Sequence, residues 1–562
     1  MAVLSASFFV PFPATAENNA GSYLAGRQAI ARSDFAKAAE FYTRALARDP
    51  SNPTLMESVV LSRLAMGEID RALPVALQME ESGLRSQVAH MVVQSSMLAN
   101  EDYAGYLDRD PDTQGIGKLA DGLLAGWAHL AAGSVGQALA QFDRVGDTNG
   151  VRNFALYHKA LALASVGDYE GAEAIFAANE GAVTTLSRRA AMARAEVLSQ
   201  LDRNDEALEM LADVFGASFD PGLTAVADRL ASGETLSFSH VRTPQDGLAE
   251  VFFTIGAALN DEAADDFVLI YARAAGYLRP DHIDAILLSA ELLEDMGQFD
   301  LSVATYRKVP QDSADHHAAE MGRAEALRRA GKPDAAIEVL ESLAMDYPTL
   351  PLVHSSLGDL QRQQEEYDAA IKAYDKALEF LEEGDNREWF VHYARGISHE
   401  RLKQWDQAEA DFRRALELNP EQPQVLNYLG YSLVERKTKL EEALDMIERA
   451  AAARPDSGYI IDSLGWVLFR LGRYEEAVTH MERAVELMPV DPVVNDHLGD
   501  VYWAVGRMRE AEFQWSRALS FVDPEDENAE ANPERIRAKL EVGLDEVLAQ
   551  EGAEPIQVAN DQ

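Results

Sequence analysis

The stretch that decides the fold is residues 458–491, GYIIDSLGWVLFRLGRYEEAVTHMERAVELMPVD, in which two apolar helical patterns flank a glycine turn. Gly465 and Ala477 stand where two helices would cross, and a larger side chain at either position would overpack that contact at a cost of ~1–3 kcal/mol. Gly472 marks the turn. Pro489 ends the second helix because the residue before a proline is driven out of the helical region. The stretch therefore predicts a hairpin of two α-helices.

The same spacing of small, aromatic and proline residues recurs through the C-terminal half of the chain. Six of the seven intervals are 34 or 35 residues long, and the remaining one, of 38, absorbs an insert in a loop. Units repeated at such a period cannot bury their apolar faces alone, so they stack on one another. The units begin at Ala249, Ile283, His317, Pro351, Trp389, Pro423, Gly458 and Pro492.

The pattern divides the rest of the chain into segments of different regularity. The period is degenerate in the N-terminal part, with residues 53–86 and 87–118 as its weakest units, and it is lost around a Pro-Gly turn. An acidic stretch then precedes one last amphipathic helix, which would cover the open end of the array. The predicted segments are a degenerate array at 17–216, an irregular joint at 217–248, a regular array at 249–525, a linker and capping helix at 526–550 and a disordered tail at 551–562.

The repeated unit resembles the tetratricopeptide repeat, because its small residues and its proline fall at that repeat's positions. The resemblance covers nearly the whole chain. It implies an all-α, right-handed superhelical solenoid of about fourteen helix-turn-helix units with a C-terminal capping helix. It also implies that the protein works by binding other proteins.

Composition excludes several classes of function. The chain has 562 residues, with 94 Asp and Glu against 50 Lys and Arg, and its formal charge of -44 opposes binding to nucleic acid. It contains no cysteine, which excludes disulfides, thiolate metal sites and cysteine nucleophiles.

Two partial motifs fail to predict catalysis. His399 and Glu400 open like a zinc-protease motif, but Lys403 stands where the second histidine belongs. Lys332 resembles the lysine of a phosphate-binding loop, but Pro333 replaces the residue that would coordinate magnesium. We therefore predict no enzyme activity, no catalytic residue, no metal site and no cofactor.

Residues 1–16, MAVLSASFFVPFPATA, have the apolar core and the small-residue ending of a secretory signal peptide cleaved before Glu17. Their apolar run is well short of the ~20 residues that a membrane-spanning helix needs. We expect an exported, soluble, periplasmic protein. The alternative is a cytoplasmic protein whose apolar N-terminus is not a signal.

In tetratricopeptide arrays the first helix of each unit lines a concave groove, and positions 2, 5, 9 and 12 share one stripe of it. Seven of the sixteen stripe residues in the last four units are aromatic, against 8% of the whole chain, which indicates anchors for a partner. Asn427, Asp462 and Asp496 form a polar ladder at position 5, which favours a cationic or backbone-rich peptide. Two alternatives stay open: the rings pack between neighbouring first helices, and the ladder is a solvated polar row. The predicted partner-binding residues are Phe390, Tyr393, Asn427, Tyr431, Tyr459, Asp462, Trp466, Phe469, Asp496, Asp500 and Trp503.

Two stretches show a narrower resemblance, residues 427–519, which begin NYLGYSLVERKTKLEEALDM, and residues 243–259, TPQDGLAEVFFTIGAAL. They resemble long proteobacterial tetratricopeptide proteins, many of them outer-membrane lipoproteins, at least one of which is the adaptor of a carboxyl-terminal processing protease. The resemblance implies an adaptor that delivers substrates such as cell-wall hydrolases, although this chain lacks the cysteine that carries the lipid. The alternatives are a self-assembling envelope scaffold without a protease, or a cytoplasmic co-chaperone. Self-association into a homo-oligomer also stays open.

Overall fold

In the computed structural model the described residues form helices joined by turns, and none of them lies in a β-strand. The predicted all-α fold of helix hairpins is confirmed for these residues. The predicted signal peptide at 1–16 lies outside them, as do most of the predicted linker and the end of the predicted tail. The described residues are 19–178, 188–216, 219–382, 384–523 and 531–553.

The chain divides into two compact units, Met1–Asp346 and Tyr347–Gln562, whereas the sequence placed the change of regularity at 217–248. The first unit contains α1 (Asn19–Ile30), α2 (Phe35–Leu46), α3 (Pro53–Ala65), α4 (Ile69–Glu81), α5 (Gln87–Ala99), α6 (Tyr103–Leu107), α7 (Pro111–Gln114), α8 (Lys118–Ala131), α9 (Val135–Gly146), α10 (Arg152–Ser165), α11 (Tyr169–Ala178), α12 (Arg188–Gln200), α13 (Asn204–Phe215), α14 (Pro221–Ala231), α15 (Pro244–Leu259), α16 (Asp265–Leu278), α17 (Ile283–Asp295), α18 (Phe299–Tyr306), α19 (His316–Arg329) and α20 (Pro333–Asp346). The second unit contains α21 (Pro351–Gln363), α22 (Tyr367–Phe380), α23 (Glu388–Arg401), α24 (Trp405–Leu418), α25 (Pro423–Glu435), α26 (Leu440–Ala453), α27 (Gly458–Arg470), α28 (Tyr474–Leu487), α29 (Pro492–Ala504), α30 (Met508–Phe521), α31 (Pro533–Val542) and α32 (Leu544–Gln550).

Fourteen hairpins account for most of these helices, in agreement with the number that the period predicted. In each hairpin the two helices pack against each other, and in most of them the second helix also packs against the first helix of the next hairpin. The hairpins are α1/α2, α3/α4, α5/α6, α8/α9, α10/α11, α12/α13, α15/α16, α17/α18, α19/α20, α21/α22, α23/α24, α25/α26, α27/α28 and α29/α30.

The hairpin of residues 458–491 shows why the small residues recur. A Cβ atom added to Gly465 would lie 2.3 Å from the sulfur of Met481, so the two helices approach as closely as only glycine permits. Gly472 adopts φ +75° in the turn, a left-handed conformation that glycine reaches without strain. The next hairpin then starts with Pro492 at the first turn of α29, where a proline costs no hydrogen bond.

The third hairpin is the most irregular, as its weak repeat signal predicted. Its first helix, α5, has 13 residues, but its second helix, α6, has only five and is followed by the four-residue α7. The preceding unit, 53–86, was also predicted to be distorted, yet α3 and α4 form a full hairpin in spite of Pro74 inside α4.

The pair α15 and α16, which we call the inserted hairpin, folds back onto earlier helices of the first unit. Helix α15 packs against α8 and α10, and α16 packs against α3 and α5. All four contacted helices are first helices of their hairpins, so the inserted hairpin covers the face that a tetratricopeptide array would use for a partner. This contact draws residues 244–278 into the first unit.

The predicted capping helix is present as two helices. Helix α31 packs against α30, and Gly543, with φ +83°, breaks the helix before α32 starts. Ile536, Leu544 and Val547 from the predicted apolar stripe are buried. The C-terminal end of the second unit is thereby covered, as an array of stacked hairpins requires.

Candidate protein-binding surface

The candidate surface lies on the first helices of the last four hairpins, α23, α25, α27 and α29. We call the side chains at positions 2, 5, 9 and 12 of these four repeats the first-helix wall, with positions counted from Trp389, Pro423, Gly458 and Pro492. All of these side chains lie in the second compact unit. They include all eleven predicted partner-binding residues. Their exposure differs strongly from position to position.

Two rings of the first-helix wall are open to solvent. The exposed fraction is 65% for Tyr459 and 38% for Phe390. Both stand at position 2 of their hairpins, at the start of the first helix, where the neighbouring helix does not reach them. Exposed aromatic side chains of this size are the groups that most often anchor a protein partner.

Four further predicted residues of the first-helix wall are half-buried: Tyr393, Asn427, Tyr431 and Phe469. The ring of Tyr393 lies 6.3 Å from Phe390 and 5.9 Å from Tyr428 between centroids. The amide oxygen of Asn427 is buried and has no hydrogen-bond partner among the described residues. These side chains are therefore only partly accessible to a partner, unlike the two exposed rings.

Sequence reasoning missed two aromatic residues that belong to the same cluster, Trp389 and Tyr428. Trp389 packs edge-on against Phe390 at 5.8 Å, and Tyr428 packs between Tyr393 and Phe412. They occupy positions 1 and 6 of their hairpins, outside the stripe that was examined. A wider search for aromatic residues near the start of each first helix would have found them.

Trp466 was predicted to face an open groove, and the structure corrects this prediction. Only 7% of Trp466 is exposed. Its ring is stacked between His497 at 3.9 Å and Phe469 at 4.9 Å, and its Nε1 donates a hydrogen bond of 2.8 Å to Glu435. The alternative of rings packed between neighbouring first helices therefore describes Trp466.

The polar ladder at position 5 is also corrected, because both of its carboxylates are buried, Asp462 against α29 and Asp496 against α31. Asp462 accepts a hydrogen bond of 3.1 Å from Nδ1 of His497. Asp496 accepts two of 2.9 Å from the ammonium of Lys539 on α31. Position 5 therefore points along the stack of hairpins, and these two acids cannot select a cationic peptide.

The remaining predicted residues of α29, Asp500 and Trp503, contact the C-terminal helices α31 and α32. Asp500 is 1% exposed, and it accepts hydrogen bonds from Lys539 at 2.6 Å and from Nε1 of Trp515 at 2.9 Å. Trp503 is half-buried and donates from Nε1 to Asp545 of α32 at 3.0 Å. The structure thus gives Asp500 and Trp503 partners within the chain.

Burial raises the pKa of Asp496, and the neighbouring charge of Asp500 acts in the same direction, whereas the ammonium of Lys539 opposes both. One buried cation thus holds two buried carboxylates together. Such a cluster is costly to break, because removal of one partner leaves uncompensated charge in the interior. It fixes α31 against α29.

In the first unit, the corresponding face is covered by the inserted hairpin through a buried polar cluster. The carboxylate of Glu250 on α15 accepts hydrogen bonds from Tyr157 at 2.8 Å, from Nε of Arg189 at 2.8 Å and from His282 at 3.2 Å. Burial alone would raise the pKa of Glu250, but the charge of Arg189 and the hydrogen bonds of His282 and Tyr157 hold it well below its ordinary value. These contacts tie α15 to α10, α12 and the start of α17.

A second contact locks the inserted hairpin in place. Nε1 of Trp127 donates to Nδ1 of His158 at 3.1 Å, which leaves the proton of His158 on Nε2, 3.1 Å from the hydroxyl of Thr254 on α15. Burial lowers the pKa of His158 to about 4, so its ring is neutral at physiological pH. Gly247 lies against the ring of Trp127 with no room for a Cβ atom. The first helices α3, α5, α8 and α10 of the first unit are therefore covered on this face by the inserted hairpin.

Within the described residues, no group of three or more His, Asp or Glu side chains is placed to hold a metal ion. None of the helices in the described part of the chain is both long and apolar enough to cross a membrane.

Comparison with known proteins identifies the repeat. Family models of the tetratricopeptide repeat match residues 389–422, 460–489, 287–351 and 353–388. The chain therefore contains tetratricopeptide repeats, as the spacing of its small residues predicted. Repeats of this kind generally form non-catalytic scaffolds for protein interaction, and nothing in the comparisons indicates catalysis.

Individual proteins match more distantly. The TPR repeat-containing protein PA4667 of Pseudomonas aeruginosa is 28% identical over 163 residues, which span 28% of this chain and only 26% of that relative. Among solved structures, the APC/C hetero-tetramer Cut9-Hcn1 matches with 15% identity and a TM-score of 0.38 over 94% of this chain and 97% of the matched chain. A tetratricopeptide repeat protein from Parabacteroides merdae matches with 16% identity and a TM-score of 0.37 over 46% and 97% of the two chains.

Proposed function

We propose that this protein is a non-catalytic scaffold that binds polypeptide segments of other proteins on the first-helix wall of its second unit. The observation that carries the proposal is the exposure of Tyr459 and Phe390 on that wall. In the first unit, the inserted hairpin covers the corresponding face of α3, α5, α8 and α10. The second unit therefore offers the open surface.

Within this wall the anchors are Phe390 and Tyr459, and Tyr393, Tyr431 and Phe469 supply the surrounding apolar surface. Trp466, Asp462, Asp496, Asp500 and Trp503 have a different role in the proposal, since they hold neighbouring first helices and the C-terminal helices together. A partner segment that covers an exposed ring with an apolar side chain would gain affinity from the water that it displaces.

We further propose that the partner is a carboxyl-terminal processing protease of the bacterial envelope, and that the scaffold brings substrates to it. This step is supported by the resemblance of residues 427–519 and 243–259 to adaptors of such proteases. It requires export to the periplasm, which is supported by the signal-like residues 1–16. A scaffold with several moderate contact surfaces can present a substrate at a high effective concentration.

A binding experiment with matched variants tests the proposal. Phe390→Ala combined with Tyr459→Ala removes both exposed rings of the first-helix wall. Phe513→Ala combined with Phe521→Ala is the control, because these rings are 60% and 37% exposed on α30, a second helix. The wild-type protein and both double variants are immobilised and exposed to envelope extract, and the captured processing protease is identified and titrated.

We expect the wall variant to weaken protease binding at least roughly 30-fold, which is about 2 kcal/mol for a single anchor residue. The control should bind like the wild type, and circular dichroism should show equal helix content in all three proteins. Equal binding by the wall variant and the wild type would contradict the proposed surface. Capture of this chain alone, with no protease, would favour the self-assembling scaffold instead.

Export is tested separately by sequencing the N-terminus of the protein recovered from cells. The proposed signal peptide predicts a mature chain that starts at Glu17. A chain that still begins with Met1 would contradict export and favour the cytoplasmic alternative.

A further inference from the structure

The first unit contains a cavity of about 680 Å³ beside its third hairpin, which we call the repeat-3 cavity. It lies next to the shortened second helix of that hairpin, since α6 has only five residues and the loop around Gly115 and Ile116 follows it. A full second helix would fill this side of α5. The volume falls in the range of ligand pockets, roughly 300–1,000 Å³.

Two deeply buried side chains in the cavity wall have unused hydrogen-bonding atoms. Gln94, which is 2% exposed, donates from Nε2 to the carbonyl of Gln114 at 3.0 Å and to Asp121 at 3.2 Å. Its carbonyl oxygen Oε1 has no hydrogen-bond partner among the described residues. Since buried polar atoms are nearly always paired in folded proteins, this free acceptor marks a place for a hydrogen-bond donor.

The second free atom belongs to His90, which is 4% exposed. Nδ1 of His90 lies 2.7 Å from a carboxylate oxygen of Glu80, and a carboxylate can only accept, so Nδ1 carries the proton. The other ring nitrogen, Nε2, has no partner among the described residues. The wall thus holds a free acceptor, Oε1 of Gln94, and a second unpaired polar atom, Nε2 of His90, that a ligand could satisfy.

The rim of the cavity has the opposite character. Arg85 and Lys118 are exposed there, and no carboxylate of the described residues lies within ion-pair distance of either. Leu107 and Ile116 add apolar surface between rim and wall. In a chain with a formal charge of -44, these two cations can attract oxygen acceptors, although Asp112 and Asp121 also line the cavity.

We propose that the repeat-3 cavity binds a short polypeptide segment of a partner protein, in a site separate from the first-helix wall. An N–H group of the segment donates to Oε1 of Gln94, a second polar group of the segment pairs with Nε2 of His90, and carbonyl or carboxylate oxygens of the segment accept from Arg85 and Lys118. A polypeptide backbone carries donors and acceptors side by side, whereas a simple cation or anion would satisfy only one of the two sets. The segment takes the space that a complete second helix would occupy.

Selection from a library of random heptapeptides with blocked ends tests this site on the full-length protein. Arg85→Glu reverses the charge at the rim, and Ala125→Phe fills the cavity from α8. Arg152→Glu is the matched control, since Arg152 is also exposed in the first unit but does not line the cavity. Because the chain has no cysteine, a single Thr113→Cys substitution at the cavity allows a fluorescent label to report binding.

We expect selected peptides to change the fluorescence of the label and to lose affinity at least tenfold with Arg85→Glu and with Ala125→Phe. Arg152→Glu should leave their affinity unchanged. Thermal melts show whether Ala125→Phe still folds, and Arg85→Glu decides the matter alone if it does not.

Two results would overturn the proposal. One is a selection in which no peptide responds more to Arg85→Glu than to Arg152→Glu. The other is a set of peptides that respond only to Tyr459→Ala, which would place them on the first-helix wall. That second result would refute the cavity and leave the proposed function of the wall intact.

Discussion

Replacing Lys539 with methionine is the sharpest test of how the C-terminal helices are held. The ammonium group of Lys539 is completely buried and lies 2.9 Å from both carboxylate oxygens of Asp496 and 2.6 Å from Asp500. Methionine keeps a long, flexible, apolar stem and removes the charge. The two carboxylates would then keep only the guanidinium of Arg535, 3.7 Å from Asp500, as a nearby cation.

The expected cost is about 3–5 kcal/mol, the usual penalty for breaking a buried ion pair by removal of one partner. The sign of its pH dependence follows from Asp496, whose pKa burial already raises and Lys539 partly restores. Without Lys539 the pKa rises further. A carboxyl group whose pKa is higher in the folded state gains stability as the pH falls, so the destabilisation should shrink in acid.

Urea unfolding followed by tryptophan fluorescence measures this change, because the ring of Trp515 lies 5.8 Å from the ammonium of Lys539. Hydrogen exchange of residues 533–550 reports the same region locally. Adding Asp496→Asn and Asp500→Asn to Lys539→Met removes the uncompensated charges and should recover most of the lost stability. The reasoning is refuted if Lys539→Met unfolds within about 0.5 kcal/mol of the wild type at pH 7, or if its deficit is the same at pH 4.

Two further predictions concern the inserted hairpin. Gly247→Ala should destabilise the first unit by ~1–3 kcal/mol, because a Cβ atom would stand 2.3 Å from the ring of Trp127. Gly276→Ala, whose Cβ atom meets nothing within 4 Å, should be neutral or stabilising by ~0.5–1 kcal/mol in the same thermal melts, and equal effects of the two changes would contradict the close contact. Glu250→Gln should cost at most about 3–5 kcal/mol at pH 7, because it removes one of the two carboxylates, Glu250 and Asp284, that pair with the guanidinium of Arg189. The pKa of Glu250 is held well below 4.5, so the wild type loses this stability as the pH falls through the lowered value. The urea unfolding midpoints of the two proteins should therefore converge in strong acid. A difference between the midpoints that persists there would contradict the assigned pairing.

The exposure of the wall residues could be predicted only in part from the sequence. The helical period correctly places Tyr459, Asp462 and Trp466 on one helix, α27. It treats them as equals, although Tyr459 is 65% exposed and the other two are 6% and 7% exposed. The difference arises because His497 from α29 reaches Asp462 and Trp466 but not Tyr459.

The sequence did not predict that the inserted hairpin and the C-terminal helices would cover first helices of the same chain. Lys539 reads as an ordinary charged residue on an amphipathic helix, yet it meets Asp496 from a distance of 43 positions in the chain. Glu250 lies in a stretch that continues the repeat pattern, and its partner Tyr157 is 93 positions away. In each case the residues near one partner in the sequence do not indicate which distant residue pairs with it.

The sequence by itself determined the helices, their pairing into hairpins and the class of protein, since these depend on contacts within about 34 residues and each contact leaves a small residue, a turn glycine or a proline at a regular place. The tertiary structure alone decided which faces stay open. The inserted hairpin covers one first-helix face and α31 and α32 cover the end of another, through buried charges whose partners are far apart in the chain. Burial is a property of neighbours in space, and only the folded chain brings those neighbours together.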